Sequence, residues 1–181
     1  MTEPGFTIRQ IRPSDYDRAG EIAVEAYRRI ETNLDYVDEI RNAGERAAVV
    51  PVLVAVDGDG SLLGTVTYIP GPGTPLSERE RDGEAGFRVL AVAPEAQGRG
   101  VGRALAEACI ARARAEGRRG VAILTRPSMA AAHRLYESLG FVRDPSDDWE
   151  FEPGEWLWAY RLRFNQGSEQ HATPESVTRS K

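Results

Sequence analysis

The sequence predicts one α/β domain, because strand-like and helix-like segments alternate along most of the chain. Residues 6–12 and 156–164 alternate apolar and polar side chains, as half-buried strands do. Residues 14–30 instead repeat apolar side chains at helical spacing. The 181-residue chain is 41% hydrophobic, enough for one sizeable core. We therefore expect a single domain over residues 1–164 and a disordered polar tail over 165–181.

The first half of the chain predicts three strands and two helices, which end in a long connection. In chain order they are a strand at 6–12, helices at 14–30 and 34–47, and strands at 52–56 and 62–69. A glycine-rich turn joins the last two strands as a hairpin. The connection at 70–83 is rich in proline, glycine and charge, so it is either a functional cover or a mobile surface loop.

The second half predicts four strands and two helices. In chain order they are a central strand at 84–93, a helix at 103–116, a strand at 120–125, a helix at 128–139, a short strand from 141, and a strand at 156–164. In the first of these helices, Ala104, Ala108, Ala111 and Ala115 form a stripe that we expect to lie against the sheet. We expect His133 to lie on the surface. Residues 143–155 form an acidic loop, which is most often a solvated face.

A glycine-rich turn between the central strand and the next helix predicts an anion site. Its residues are Gln97, Gly98, Arg99, Gly100, Val101, Gly102 and Arg103. The glycines allow positive φ and close approach of the backbone, so the amides can point at an anion that the helix N-terminus also favours. The arginines add positive charge.

Two common phosphate-binding patterns do not fit this turn. A Walker loop requires a lysine and a serine or threonine after its last glycine, whereas Arg103 and Ala104 follow Gly102. A dinucleotide fingerprint requires a third glycine where this chain has Arg103 or Leu105, depending on the starting glycine. The turn is therefore either a different kind of anion site or a glycine turn that merely joins a strand to a helix.

Residues 97–102 match the pattern Q/R-x-x-G-x-G/A, and on this motif the chain resembles the GNAT superfamily of acyl-CoA-dependent N-acyltransferases. The resemblance extends to the Leu-Ala-Val-Ala-Pro run at 90–94 and to residues 135–141, and it covers about residues 6–164. It implies a mixed, mostly antiparallel central sheet with flanking helices. It also implies that the first two helices line the acceptor side and that the acidic loop could bind the acceptor's ammonium group.

The resemblance implies acetyl-CoA as the acyl donor. The pyrophosphate would bind residues 97–103, and the pantetheine would pair with the backbone of Leu90, Ala91 and Val92, where the family separates two strands. A contact often made by an asparagine falls at Met129 in this chain, so Ser128 is the expected substitute. The sequence indicates no metal site.

Two residues are candidates for proton transfer. Tyr136 resembles the family's general acid, although its helical spacing also suits a core tyrosine. A lysine-like amine must lose a proton, which costs roughly 4–5 kcal/mol at neutral pH without help from the site. Glu84 is the candidate base, since the strand position that often carries a carboxylate in the family is Gly86 here. An exposed glutamate at a strand end is the equally weighted alternative.

Composition narrows the choice of partner. The net charge is −5, so a nucleic-acid partner is unexpected and a cationic amine is plausible. Cys109 is the one cysteine, which suits a reducing compartment and packs as a small apolar residue. The chain shows no signal peptide or membrane span, so we expect a cytoplasmic protein. The aromatic strand near Trp156 could support a homodimer.

Two functions fit these features. The first is an N-acetyltransferase that moves the acetyl group of acetyl-CoA to an amine of a small molecule or peptide. The second is a catalytically silent acyl-CoA-binding module, which the missing carboxylate at Gly86 favours and Tyr136 disfavours.

Overall fold

The structure, a computed structural model, describes residues 5–28, 30 and 33–165, so the predicted tail lies almost entirely outside the described residues. The strands of the described part are β1 Phe6–Gln10, β2 Val52–Asp57, β3 Leu62–Ile69, β4 Glu84–Val92, β5 Gly120–Thr125, β6 Val142–Arg143, β7 Trp149–Glu152 and β8 Glu155–Arg163. The helices are α1 Tyr16–Tyr27, α2 Leu34–Arg41, α3 Ala43–Val49, α4 Val101–Ala115 and α5 Ala130–Ser138.

The strands form one sheet in the order β1-β2-β3-β4-β5-β8-β6, and β7 pairs with β8. Among the described strands β4 and β5 form the one parallel pair, and the other pairs are antiparallel. The predicted α/β class, with a mixed and mostly antiparallel sheet, is confirmed. Because β3 is buried along its whole length, both faces of the sheet are covered at its centre.

Local capping explains where the N-terminal helices begin and break. The first helix begins at Tyr16 rather than Ser14, because residues Pro13–Asp15 form a 3₁₀ turn in which the Asp15 carboxylate accepts the N–H of Arg12 at 2.8 Å. The predicted helix at 34–47 is divided into α2 and α3. Asn42, between them, leaves helical geometry and accepts the N–H of Glu45 at 3.4 Å, which starts the second helix.

The helix after the glycine turn buries a different face from the one predicted. Its buried residues are Val101, Leu105, Ala106, Cys109 and Ala113. The predicted alanine stripe is wrong, since Ala111 and Ala115 are exposed. The larger side chains of the buried face fill the space against β2, β3 and β4. Cys109 is fully buried, as expected for an apolar residue.

The acidic segment at 143–155 contains a strand that the sequence analysis did not predict. Its residues 149–152 pair with β8 in a hairpin, and Gly154 makes the turn with a φ of 82°. The aspartates of this segment lie against arginines: Asp148 pairs with Arg143 at 2.6 Å, and Asp144 pairs with Arg161 at 3.0 Å. These ion pairs occupy carboxylates that could otherwise have met an ammonium group.

Candidate active site

The central feature of the site is a gap between β4 and β5. The two strands pair only from Glu84 to Gly86, and beyond that point this edge of β4 is open. Val89 lies at the gap with a φ of 52°, an uncommon conformation for a β-branched residue. The register between β3 and β4 shifts at the same place. The bulge therefore turns the backbone of β4 toward the gap.

A cavity of about 290 Å³ occupies this gap. Its aromatic walls come from α1, α2, β4, α5 and β7, and they are Tyr27, Tyr36, Phe87, Tyr136, Trp149 and Phe151. Its charged lining residues are Glu39, Glu78, Arg88 and Arg126. The cavity thus combines an apolar body with a few charged groups, the usual make-up of a small-molecule site. The first two helices, α1 and α2, both line this cavity.

The glycine turn lies at the N-terminus of α4. Gly98 and Gly100 have φ values of 79° and 81°, as the motif predicts. Gly102 instead lies in the first turn of α4, without a positive φ, and a Cβ there would meet Val92 Cγ2 at 3.4 Å. The predicted positive φ at Gly102 is therefore wrong, because this glycine is already part of the helix, where φ is negative.

Five N–H groups of the turn donate no hydrogen bond within the described part of the chain. They belong to Gly98, Gly100, Val101, Gly102 and Arg103. The remaining two of the predicted set are engaged: Gln97 donates to Pro94 and Arg99 donates to Ala96, each at 3.3 Å. The free donors and the dipole of the 15-residue helix favour an anion at this point.

Both arginines of the turn have partners on the protein surface. Arg99 pairs with Asp57 at 3.0 Å, and Arg103 donates to Ser138 Oγ at 2.6 Å. These side chains are 40% and 44% exposed, so the surface partners can be exchanged for a phosphate at little cost.

Tyr136 lines the cavity from α5. Its ring packs edge-on against Phe87 at 5.8 Å and against Phe141 at the same centroid distance. Within the described part of the chain its hydroxyl makes no hydrogen bond, and the oxygen is not sealed from the cavity. Burial raises the pKa of Tyr136 above the ordinary tyrosine value, so the phenol stays protonated at neutral pH. The structure thus brings Tyr136 to the opening of β4.

Glu84 does not reach this cavity. The residue is buried at the start of β4, where its carboxylate forms an ion pair with Arg161 and accepts the N–H of Arg81 at 2.9 Å. It is not among the residues that line the cavity. The geometry therefore separates the two residues that the sequence put forward for proton transfer.

The start of α5 also differs from prediction. The sequence predicted a helix from residue 128, but α5 begins at Ala130, its cap residue is Met129, and no side chain caps it. Ser128 is exposed, whereas Met129 and Thr125 line the cavity. The Thr125 hydroxyl lies 3.6 Å from the Met129 sulfur. His133, expected on the surface, is buried, because its ring stacks on Trp158 and Tyr160 at 5.4 Å and its Nε2 lies 3.1 Å from the carbonyl oxygen of Arg126.

Sequence reasoning missed the charged end of the cavity. Arg88 of β4 lies 3.2 Å from Glu78 and 3.5 Å from Glu39, and its guanidinium lies 5.8 Å from the centre of the Tyr36 ring. Burial raises the pKa of Glu78 above the ordinary glutamate value, against the opposing effect of Arg88. These residues come from a helix, a loop and a strand, so no local motif joins them.

Comparison with known proteins agrees with this architecture. The sequence model of the acetyltransferase (GNAT) family matches residues 15–141. A GCN5-related N-acetyltransferase from Kribbella flavida is 23% identical, with a TM-score of 0.67 over 88% of this chain and 98% of that chain. No curated protein matches the sequence at a significant level.

Two further solved structures of this fold contain acetyl-CoA. One is a GNAT family acetyltransferase from Brucella melitensis in complex with acetyl-CoA, with 24% identity, a TM-score of 0.61 and 91% coverage of both chains. The other is yncA from Salmonella typhimurium with its cofactor acetyl-CoA, with 23% identity, a TM-score of 0.64 and coverage of 94% of this chain and 98% of that one. In the described residues of the present chain, no helix is both long and apolar enough to cross a membrane.

Proposed function

The chain belongs to the acetyltransferase (GNAT) family, and on this basis we propose that it is an acetyl-CoA-dependent N-acetyltransferase acting on an amine of a small molecule or peptide. The observation that supports this proposal is the course of the open edge of β4. It runs from Leu90, which lines the cavity together with Tyr136, to Val92, which lies against Gly102 of the glycine turn, and so offers a path between the two. A donor held on that path would meet its acceptor inside the cavity.

The glycine turn would hold the pyrophosphate of acetyl-CoA. Gly98, Gly100 and residues 101–103 offer free N–H donors, while Arg99 and Arg103 turn from their surface partners to add charge. Gln97 shapes the turn through its own backbone bond rather than by donating to phosphate. No metal ion is proposed, since amides, arginines and the helix dipole supply the positive potential.

The pantetheine would extend from this turn along β4. The backbone of Leu90, Ala91 and Val92 follows the bulge on the open side of the strand, where an extended amide chain can pair as an added strand would. Exposed Ser128 remains the proposed polar contact at the start of α5. Leu90 lines the cavity, so this path ends among the aromatic walls.

Acetyl-CoA supplies the acetyl group as a thioester. Tyr136 would give its phenolic proton to the departing sulfur as general acid. A phenol near pKa ~10 is weaker than a thiol near ~8.5, so the transfer is uphill by about 2 kcal/mol or more in water. Burial in the apolar cavity disfavours the thiolate as it disfavours the phenolate, so it raises both pKa values and leaves the direction of the transfer unchanged. Direct attack by the amine in a ternary complex follows, since Cys109 is buried and no other thiol is present.

The test is release of CoA thiol when the protein is mixed with acetyl-CoA and a panel of amines, antibiotics, amino acids and peptides. The proposal predicts thiol release that depends on one class of amine. Tight binding of acetyl-CoA by calorimetry, with no thiol release for any member of the panel, would instead support a silent acyl-CoA-binding module. The absence of a strand carboxylate at Gly86 is the observation that favours this alternative. A cytoplasmic location and a homodimer remain predictions from the sequence.

A further inference from the structure

The connection between β3 and β4 places two carboxylates, those of Glu78 and Glu80, near the position on β4 where this chain has Gly86 instead of a carboxylate residue. Glu78 lines the cavity, and Glu80 Oε2 accepts the N–H of Glu78 at 2.8 Å. The Glu80 carboxylate lies directly over Gly86, where a Cβ would collide with Glu80 Oε1. Gly86 therefore provides space for a carboxylate that comes from the loop rather than from the strand.

A smaller cleft joins these carboxylates to the main cavity. It has a volume of about 20 Å³ and shares Glu78, Phe87, Arg88 and Leu124 with the main cavity. Glu80 lines only the small cleft, whereas Glu78 faces both. Of the two loop carboxylates, Glu78 is thus the one that a molecule in the main cavity would meet.

The charged and polar groups around Glu78 come from every element packed on it. Arg88 lies 3.2 Å away on β4, Glu39 and Tyr36 belong to α2, Tyr27 belongs to α1, and Glu80 belongs to the same loop. Arg88 lowers the pKa of Glu78, while burial and the two glutamates raise it, and the net direction is upward. A carboxylate with a raised pKa is a better proton acceptor near neutral pH than an exposed one.

We propose that Glu78 is the catalytic base that takes the proton of the acceptor amine in this cavity. The proposal rests on the acetyltransferase function proposed above. The Glu78 carboxylate accepts one proton from the acceptor ammonium, and the neutral amine forms the C–N bond to the thioester carbonyl as the C–S bond breaks. Tyr136 protonates the sulfur, the second amine proton restores the phenol, and Glu78 returns its proton to solvent.

The other nearby carboxylates are less suited to this role. Glu84 is held by Arg161 outside the cavity. Glu39 lines the cavity but is 46% exposed, whereas Glu78 is 25% exposed, so Glu78 is the more enclosed of the two carboxylates. Glu80 lies behind Glu78 in the small cleft.

The experiment compares Glu78→Gln with Glu39→Gln, a matched control because both residues line the cavity and both pair with Arg88. In the wild type, kcat/KM for an amine found by the panel should fall as pH drops, with an apparent pKa above the ordinary ~4.3 of glutamate. Glu78→Gln should lower kcat/KM by roughly 10²-fold or more and remove that acidic limb, with acetyl-CoA affinity unchanged. Glu39→Gln should keep the limb even if KM rises.

A second measurement needs no acceptor and no activity. Carboxyl carbon NMR of the ligand-free protein, assigned by the Glu78→Gln difference, should show Glu78 titrating above ~4.3. A pKa of Glu78 at or below the ordinary ~4.3 would overturn the proposal. The proposal would also be overturned if kcat/KM of Glu78→Gln still fell at low pH as in the wild type. Loss of that pH dependence in Glu80→Gln but not in Glu78→Gln would assign the proton transfer to Glu80 instead. A wild-type protein that transfers acetyl to no amine would instead refute the proposed function itself.

Discussion

Arg161 of β8 holds Glu84 of β4 in a buried ion pair outside the cavity. The guanidinium is 5% exposed and also meets Asp144 at 3.0 Å, Asp147, and the carbonyl of Arg79 at 3.0 Å. The cluster therefore ties the β3–β4 connection, which carries Glu78, to the turn before β7. Glu84 here fixes a loop next to the cavity.

Substitution of Arg161 should destabilise the fold more than substitution of Glu84. Arg161→Met leaves the buried Glu84 without a cation, while Asp144 and Asp147 keep Arg81 nearby, and it should cost about 3–5 kcal/mol of unfolding free energy. Glu84→Gln leaves Arg161 with Asp144 and Asp147 and should cost less, about 1–2 kcal/mol. Urea unfolding with unchanged m-values measures both. A general base would contribute roughly 10²-fold or more, so a loss of that size in kcat for folded Glu84→Gln would restore Glu84 as the base.

Asp15 should make the stability of the fold depend on pH. Its carboxylate pairs with Arg9 at 2.6 Å, and hydrogen bonding to Arg9 lowers the pKa of Asp15 below the ordinary aspartate value. The stabilisation is therefore present above the unfolded value of ~3.9 and is lost as pH falls through the lower folded value. Asp15→Asn should cost about 1–2 kcal/mol at pH ~7 and little once both forms are protonated. A constant difference across the acid range would contradict this ion pair.

Gly100→Val tests the anion site. At a φ of 81° a valine is strained, although its Cβ would meet no neighbour, so the free N–H groups should turn from their present directions. Loss of one charge-assisted hydrogen bond should weaken acetyl-CoA binding roughly tenfold or more. Gly117→Val is the matched control, with a φ of 70° and an open Cβ at the far end of the same helix. Calorimetry should find weak binding in the first variant and wild-type binding in the second; equal affinities would reject the anion site.

Most of the fold could be predicted from the sequence, because the residue patterns that indicate its elements each lie within a short stretch of chain. The glycine turn, the hairpin between β2 and β3, and the periodicity of the helices each lie within about a dozen residues. The missed strand β7 shows the limit. Trp149 and Phe151 alternate with Glu150 and Glu152, a strand pattern that the acidic composition of the segment obscured. The buried face of α4 was predicted wrongly, because the regularly spaced alanines suggested close packing on the sheet. The face that packs there instead includes the larger residues Val101 and Leu105.

Only part of the candidate site could be predicted from the sequence, because one part follows a single motif and the other joins residues that are far apart in the sequence. The residues of the proposed pyrophosphate site follow one continuous motif, and the structure confirms the positive φ of Gly98 and Gly100. The charged end of the cavity joins Glu39, Glu78 and Arg88 across more than 45 residues of sequence, through sheet pairing and loop closure. No spacing rule connects them. Glu84 lies on the same face of β4 as Arg88, but it pairs with Arg161 and does not line the cavity.

The proposed role of Tyr136 needs a control for folding and binding, because its ring also packs against Phe87 and Phe141. Tyr136→Phe keeps the ring and removes only the hydroxyl, which has no hydrogen-bond partner among the described residues. We therefore expect unfolding free energy and acetyl-CoA affinity close to those of the wild type. Urea unfolding and calorimetry check both.

The most direct measurement is kcat for amine-dependent release of CoA thiol by Tyr136→Phe beside the wild type, at saturating acetyl-CoA and with the chemical step shown to limit the rate. The account predicts that kcat falls by roughly 10²-fold or more, as removal of a positioned acid should do. A kcat equal to that of the wild type in the folded variant would contradict it, and Tyr136 would then be a core residue that happens to border the cavity.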